Sequence, residues 1–300
     1  MILPMRECVK QWNTFVDAHA GAWFYHRTDW LDFQALQPGY TQRSFAIIED
    51  DKILLLCPLL KHEASGDFIM PDGPCPVPLA ATDNWNHLSA VREMLAGEGR
   101  RWILRTEGTD QYLFATNFPY STVESIGWRT RVLNLTQNED MLHSALRKSY
   151  QSLINRGIER MEFEEGPMMV DEMQGLRQEA GRPYSRVAHE LMRRWVEQGN
   201  AFCVAAFIRG ETPCRRYLGA NYFLVYKGSA YYMSGVHAED NVAHALQWRS
   251  IQHMRRVLRL KHYEIGWQGH AENEKEANIE FFKSGWGGHD VPLPVWRITL

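Results

Sequence analysis

Ala201-Phe202-Cys203-Val204-Ala205-Ala206-Phe207-Ile208 runs into the charged turn Arg209-Gly210-Glu211-Thr212, and apolar character resumes from Tyr217 to Tyr226. An apolar run, a short polar turn and a second apolar run is the pattern of a β-hairpin whose strands are buried on both faces. The same grammar occurs about half a chain earlier. There Ser44-Phe45-Ala46-Ile47-Ile48 leads through Glu49-Asp50-Asp51-Lys52 into Ile53-Leu54-Leu55-Leu56. Two such hairpins in 300 residues suggest two similar halves, which we place at 1–138 and 139–300.

Between the hairpins, Met141, Leu142, Ala145, Leu146, Tyr150, Leu153, Ile154 and Ile158 recur at steps of three and four. This predicts one amphipathic helix over Asp140–Met161. Further helices are predicted over Glu172–Arg182 and Ser185–Gln198. A strand at Ala230–Met233, a helix at about Val242–Leu260, a strand at His262–Gly266, a short helix and a last strand at Val295–Leu300 follow. Gln247 falls inside the buried stripe of the long helix. The order is mixed α/β. It does not fit a dinucleotide fold, because hairpins replace βαβ crossovers and no G-x-G-x-x-G follows a strand.

Composition narrows the function. With 33 Lys+Arg against 36 Asp+Glu, the net charge of −3 argues against a dedicated nucleic-acid binder. The longest strongly apolar run, Ile53–Leu60, is interrupted by Pro58 and falls short of the ~18–20 residues a membrane span needs. The N-terminus lacks the apolar core of a secretory signal. Cys8, Cys57, Cys75, Cys203 and Cys214 are odd in number and form no C-x-x-C pair, which reads as reduced thiols in the cytosol and no metal site. No G-x-S-x-G surrounds Ser234-Gly235, so no covalent nucleophile stands out.

An ordered set of segments resembles the superfamily of FemAB peptidoglycan aminoacyltransferases and BioF2-like (CelD-like) acetyltransferase domains. The set is Leu146-Arg147-Lys148-Ser149-Tyr150 with Arg156, the hairpin Ala201–Tyr226, Ser234-Gly235 followed by Ala245-Leu246-Gln247-Trp248, Tyr263-Glu264-Ile265-Gly266, and Phe282-Lys283-Ser284-Gly285-Trp286-Gly287-Gly288. It covers roughly residues 140–298. The first half matches more loosely, through Ala22-Trp23-Phe24-Tyr25-His26, Asp29-Trp30 and the Phe45–Leu60 hairpin. The resemblance implies two tandem GNAT-like modules. Glu264 stands where the family often carries Asp, and the R/Q-x-x-G-x-G/A pyrophosphate loop is not visible.

Acyl transfer to an amine needs a donor pocket, a proton acceptor and a stabiliser for the developing oxyanion. Lys283 follows two aromatics and precedes a glycine-rich turn, and the resemblance places the Lys of this motif near the reacting carbonyl. The other reading is a lysine favoured at a helix C-terminus. His237-Ala238-Glu239-Asp240-Asn241 gathers proton acceptors ahead of a helix, with His237 or Glu239 as candidate general base and Asp240 or Asn241 as a cap. By resemblance, basic groups among Arg147, Lys148 and Arg156, with Tyr150 beside them, would hold the phosphates of an acceptor, a task that suits the guanidinium fork. Helix steps put Lys148 and Arg156 on one side and Arg147 nearly opposite Arg156, so not all three can serve one site. The other reading is a solvated helix face. Trp30 and Trp267 adjoin polar segments and are candidate aromatic platforms.

The expectation is a cytoplasmic N-acyltransferase. Its donor would be an acyl-CoA or acyl carrier protein thioester, and its acceptor an amine of a small-molecule or lipid-linked cell-envelope or surface-glycan precursor. The alternatives are a tRNA-dependent FemAB-type aminoacyltransferase and a non-catalytic binding module. The absence of sustained heptads and the acidic balance favour a thioester over aminoacyl-tRNA.

Overall fold

The structure, a computed structural model, describes residues 1–81, 87–106, 123–210, 216–239, 242–269 and 271–300, without the side chains of residues 89 and 123–126. Cys214, Asp240 and Asn241 lie outside the described residues. The chain divides into two units, Met1–Arg129 with Pro292–Leu300, and Thr130–Val291. The expected halves were divided at 138/139 and left the terminal strand in the second. Here that strand pairs Val295–Thr299 antiparallel with Arg105–Arg101, inside the first unit.

In the first unit, the expected hairpin is β3 (Phe45–Glu49) and β4 (Lys52–Cys57), flanked by β1 (Ile2–Pro4) and β8 (Leu79–Ala80). Asp50 and Asp51 close it at φ +47 and +58, left-handed positions that the short Asp side chain tolerates and that suit the twist of a two-residue turn. A second sheet joins β16 (His289–Thr299), β9 (Arg101–Arg105), β6 (Asp67–Phe68), β5 (Leu60–His62) and β2 (Tyr40–Gln42) in that order, with β7 (Cys75–Pro76) also on β9. Helix α1 (Val9–Ala18) buries Trp12 and Val16 completely, and α2 (Thr28–Ala35) and α3 (His87–Ala96) follow. The Trp12 indole donates to the carbonyl of His26 at 2.8 Å.

The second unit orders its strands β11 (Met161–Glu165), β12 (Ala201–Ile208), β13 (Tyr217–Tyr226), β14 (Ser229–His237), β15 (His262–Gln268), and then β10 (Val123–Asn134). The predicted hairpin is β12–β13, with the bounds its apolar runs suggested. Successive residues of β12 serve different cores, as a period of two requires. Phe202, Val204 and Ala206 join the cluster containing Tyr150, Ile154, Leu246 and Ile251. On the other face of the hairpin, the buried Tyr222 hydroxyl donates to the carbonyl of Met192. Burial on both faces explains why the runs read as continuous rather than alternating apolar sequence.

The single helix expected over Asp140–Met161 is two, α4 (Glu139–Ser144) and α5 (Lys148–Arg160). The stripe of apolar residues survives the break, so periodicity could not reveal it. Its cause is distant in sequence: the Arg147 amide leaves the helical ladder and donates to the carbonyl of Gly285 at 2.9 Å. The remaining helices are α6 (Met168–Glu179), α7 (Arg186–Glu197, capped by the Ser185 hydroxyl), α8 (Val242–Arg256) and α9 (Glu274–Ser284). No described helix is long and apolar enough to cross a membrane. The four described cysteines are all buried and free.

Full burial pushes the His26 imidazole down to about 3, and nearby Arg105 acts in the same direction. Its two nitrogens are both satisfied in the neutral form: Nδ1 accepts from the Trp23 amide at 3.1 Å and Nε2 faces the Val77 carbonyl at 2.9 Å. The unfolded chain therefore binds a proton that the folded chain refuses. Stability contributed by His26 is complete above pH 6.5 and is lost as pH falls below it. Urea denaturation should show the protein about 2 kcal/mol less stable at pH 5 than at pH 7 from this group alone. His26→Gln should flatten that dependence by the same amount.

Candidate functional site

β14 and β15 run parallel and pair only over Ser229–Tyr231 with His262–Glu264, although β14 continues to His237 and β15 to Gln268. Beyond the last pair lies a cavity of about 690 Å³. Tyr232, Gly235 and His237 of β14 and Ile265 of β15 line it, as do Ala243 and Gln247 from α8. Helix α9 supplies the opposite wall through Asn278, Ile279, Phe282 and Lys283, with Glu274 and Lys275. Parting parallel strands leave backbone donors and acceptors unpaired along the opening. An extended ligand with amide groups can meet those groups as an added strand does.

Lys283 and His237 both line this cavity. The Lys283 ammonium donates to the carbonyl of Trp267 at 2.7 Å, which leaves protons free for another acceptor. Burial lowers it to about 8, while Glu280 and Glu264 act to raise it. It is thus charged at neutral pH. Gly266 takes φ +99, a conformation that favours glycine, and a Cβ there would stand 3.3 Å from Lys283 Nζ. Burial also lowers His237 to about 4, with His244 adding to the effect, so the imidazole is neutral at pH 7. Its Nε2 lies 3.0 Å from Asn221 Oδ1.

The position of Lys283 depends on a clamp at the end of α9, a helix that has no fully buried residue of its own. Arg147 donates to the Phe281 carbonyl at 3.3 Å and to the Ser284 hydroxyl at 3.0 Å, and its guanidinium lies 3.7 Å from the Phe281 ring centroid. The Tyr150 hydroxyl donates to the Phe282 carbonyl at 3.1 Å. These groups satisfy carbonyls that a helix end leaves open, and the cation opposes the negative end of the dipole. Tyr150 is buried against Trp286, Phe282 and His244.

Arg147 and Tyr150, expected at a substrate, are therefore placed in this clamp. Lys148 and Arg156 are exposed on α5, and Arg156 donates to the Ser152 carbonyl of its own helix. Glu239 is not at the cavity; it pairs with Arg160 at 2.8 Å and Arg216 at 2.9 Å. Trp267 is half-buried and contributes its carbonyl to Lys283. Trp30 is a core residue of the first unit, 4% exposed and stacked on Phe33 with Tyr25 edge-on. Its polar sequence neighbours misled the reading.

Sequence reasoning gave no site role to Asn221, Tyr232 or Ile279, nor to Tyr263 and Ile265 of the segment it quoted. A signal for one was present: Asn221 is an amide in an otherwise apolar strand, and a buried amide must find partners.

No protein-family model and no curated protein sequence matches the chain. Solved structures do match in three dimensions. FemX superposes over 97% of this chain and 96% of its own, with a TM-score of 0.71 at 13% identity. The C-terminal domain of a protein assigned as a lysylphosphatidylglycerol synthetase, from Agrobacterium fabrum, covers 97% of this chain and 92% of its own, with TM-score 0.65 at 11% identity. A tandem GNAT protein of the clavulanic acid biosynthesis pathway covers 99% and 97%, with TM-score 0.57 at 12% identity. The chain has the fold of the FemAB and GNAT acyltransferases, built from GNAT-like modules.

The clamp makes a prediction of opposite signs at two glycines. A Cβ at Gly285 would intrude on the Tyr150 ring and sit 2.8 Å from its hydroxyl, whereas one at Gly175 of α6 meets open space. Gly285→Ala should destabilise by about 1–3 kcal/mol through overpacking. Gly175→Ala should stabilise by about 0.5–1 kcal/mol, since alanine is the better helix former. Thermal melts of the two variants compared with the parent check both.

Proposed function

We propose that the protein is an N-acyltransferase, taking an acyl group from a thioester donor, acyl-CoA or acyl carrier protein, to an amine on a cell-envelope or surface-glycan precursor. The observation that carries this reading is the cavity between the parting strands, onto which the buried Lys283 ammonium and the neutral His237 imidazole both open. The fold shared with FemX and the lysylphosphatidylglycerol synthetase supports the transferase class and an envelope acceptor. The exposed Lys148 and Arg156 remain the groups for acceptor phosphates, since Arg147 is engaged in the clamp. The proposed thioester donor supports a cytoplasmic location.

The chemistry follows from the two groups. The amine lone pair attacks the carbonyl carbon, forming the C–N bond, and the carbonyl π pair moves to oxygen. The ammonium of Lys283 stabilises that oxyanion, and His237 accepts the proton from the amine nitrogen. The oxyanion then collapses, the C–S bond breaks with its electron pair on sulfur, and the thiolate takes the proton from the imidazolium. Thioester and amine become amide and thiol.

Donor class is tested by thermal stabilisation with acetyl-CoA, longer acyl-CoAs and a loaded acyl carrier protein. A donor at 100 times its Kd should add about 2.7 kcal/mol of stability. No shift with any of them would move the reading to aminoacyl-tRNA or to a binding module. Lys283→Met should lower kcat by about 10²–10³-fold, the cost of losing an oxyanion donor. Because it removes a desolvated charge, it should not lower the melting temperature. In the parent, kcat should fall as pH rises through about 8, where Lys283 loses its proton, and the variant should lack that limb.

A further inference from the structure

Behind His237 lies a chain of buried polar groups drawn from three elements. Asn221 of β13, Gln247 of α8 and Tyr263 of β15 are 1%, 2% and 0% exposed. Gln247 Nε2 donates to the Tyr263 hydroxyl, and Asn221 Nδ2 donates to Gln247 Oε1 at 3.1 Å. Each amide has one donating and one accepting end, so these two bonds give the chain a direction. What remains at its end is Asn221 Oδ1, which can only accept. The His237 Nε2 facing it at 3.0 Å therefore carries the hydrogen, and the lone pair resides on Nδ1.

The backbone around the ring is built for this contact. A Cβ at Gly235 would come within 2.6 Å of Asn221 Oδ1 and 3.2 Å of His237 Cε1, and one at Gly219 within 3.1 Å of His237 Cδ2. Glycine at both positions lets the amide and the imidazole meet. The neighbouring ionisable group is His244, itself lowered to about 4 by burial and by Arg147, so it too is neutral at pH 7.

We propose that Asn221 is a positioning residue that holds His237 in the Nε2–H tautomer and so makes Nδ1 the atom that takes the proton from the attacking amine. This rests on the acyl-transfer reading for the role of Nδ1. The tautomer itself does not, and it is measurable without any substrate.

The test uses the full chain labelled with ¹⁵N at histidine, read by long-range ¹H–¹⁵N correlation, with His237 assigned by its absence in His237→Gln. At pH 7 the parent should show Nε2–H with a bare Nδ1, and Asn221→Leu should lose that single tautomer. Asn221→Asp, which keeps the accepting oxygen, should retain Nε2–H, and it serves as the folded variant if the leucine form does not fold. In turnover with acetyl-CoA, or with whichever thioester stabilises the protein, Asn221→Leu and His237→Gln should each lower kcat by about 10²-fold or more with little change in KM. The double variant should be no slower than the slower single one, as for residues acting through one another. A parent spectrum showing Nδ1–H, or additive losses in the double variant, overturns the proposal. The expected spectrum without turnover from any thioester overturns the acyl-transfer reading and the role of Nδ1, while the tautomer assignment stands.

Discussion

The parting of two parallel strands is the constraint on which the second unit is organised. β14 and β15 share three residue pairs and then separate, so the sheet cannot satisfy its own backbone along the gap. Something must wall the opening, and α8 and α9 do so from different sides. Because α8 also packs against the β12–β13 hairpin, the cavity inherits the rigidity of a core in which Ala245, Leu246, Ile251 and Met254 are almost wholly buried. The other wall is different in kind. Helix α9 has no fully buried residue and leaves Phe281 63% exposed, so packing alone does not hold it.

What holds it is polar and lies at its C-terminal end. Arg147 and Tyr150 fasten the last carbonyls, and the glycines that follow allow the close approach this requires. The same contact sets the break between α4 and α5, since the amide that leaves the helix at Arg147 is the one that binds Gly285. One interaction thus ends one helix, begins another and fixes the turn that carries Lys283. Arg147, the basic residue that precedes α5, is accounted for by architecture before any ligand is considered.

How much of this was legible in the sequence follows from the range of each interaction. The hairpin at 201–226 was readable because both strands are buried on both faces, which writes itself as continuous apolar sequence. Lys283 stood out because aromatics and glycines bracket it. The split helix was not readable, because its cause lies some 138 residues away and leaves the apolar stripe intact. Trp30 was misplaced for a related reason. Thr28 and Asp29 belong to the same short helix, but the indole turns into the aromatic cluster with Phe33 and Tyr25. Asn221 and Gln247 were visible as polar residues in apolar segments, yet nothing local says that they bond to each other and to Tyr263. That knowledge requires the sheet order.

Burial acts on Lys283 and His237 in the same direction, and this is what makes their pairing demanding. Lysine and histidine are both cationic acids, so an apolar wall lowers both. A histidine stays neutral: at about 4, His237 keeps its lone pair at any pH near neutrality. A lysine meant to carry charge does not. The offset comes from Glu264 and Glu280, whose negative charge acts to raise Lys283 and leaves it at about 8 rather than lower. Between about 4 and about 8 the base is neutral while the ammonium keeps its charge. Outside that window one of the two is in the wrong state. A single desolvated site can hold a proton acceptor and a cation together only if the two are served unequally by their surroundings. His237 is given an uncharged amide, Asn221, as its partner; Lys283 is given carboxylates nearby.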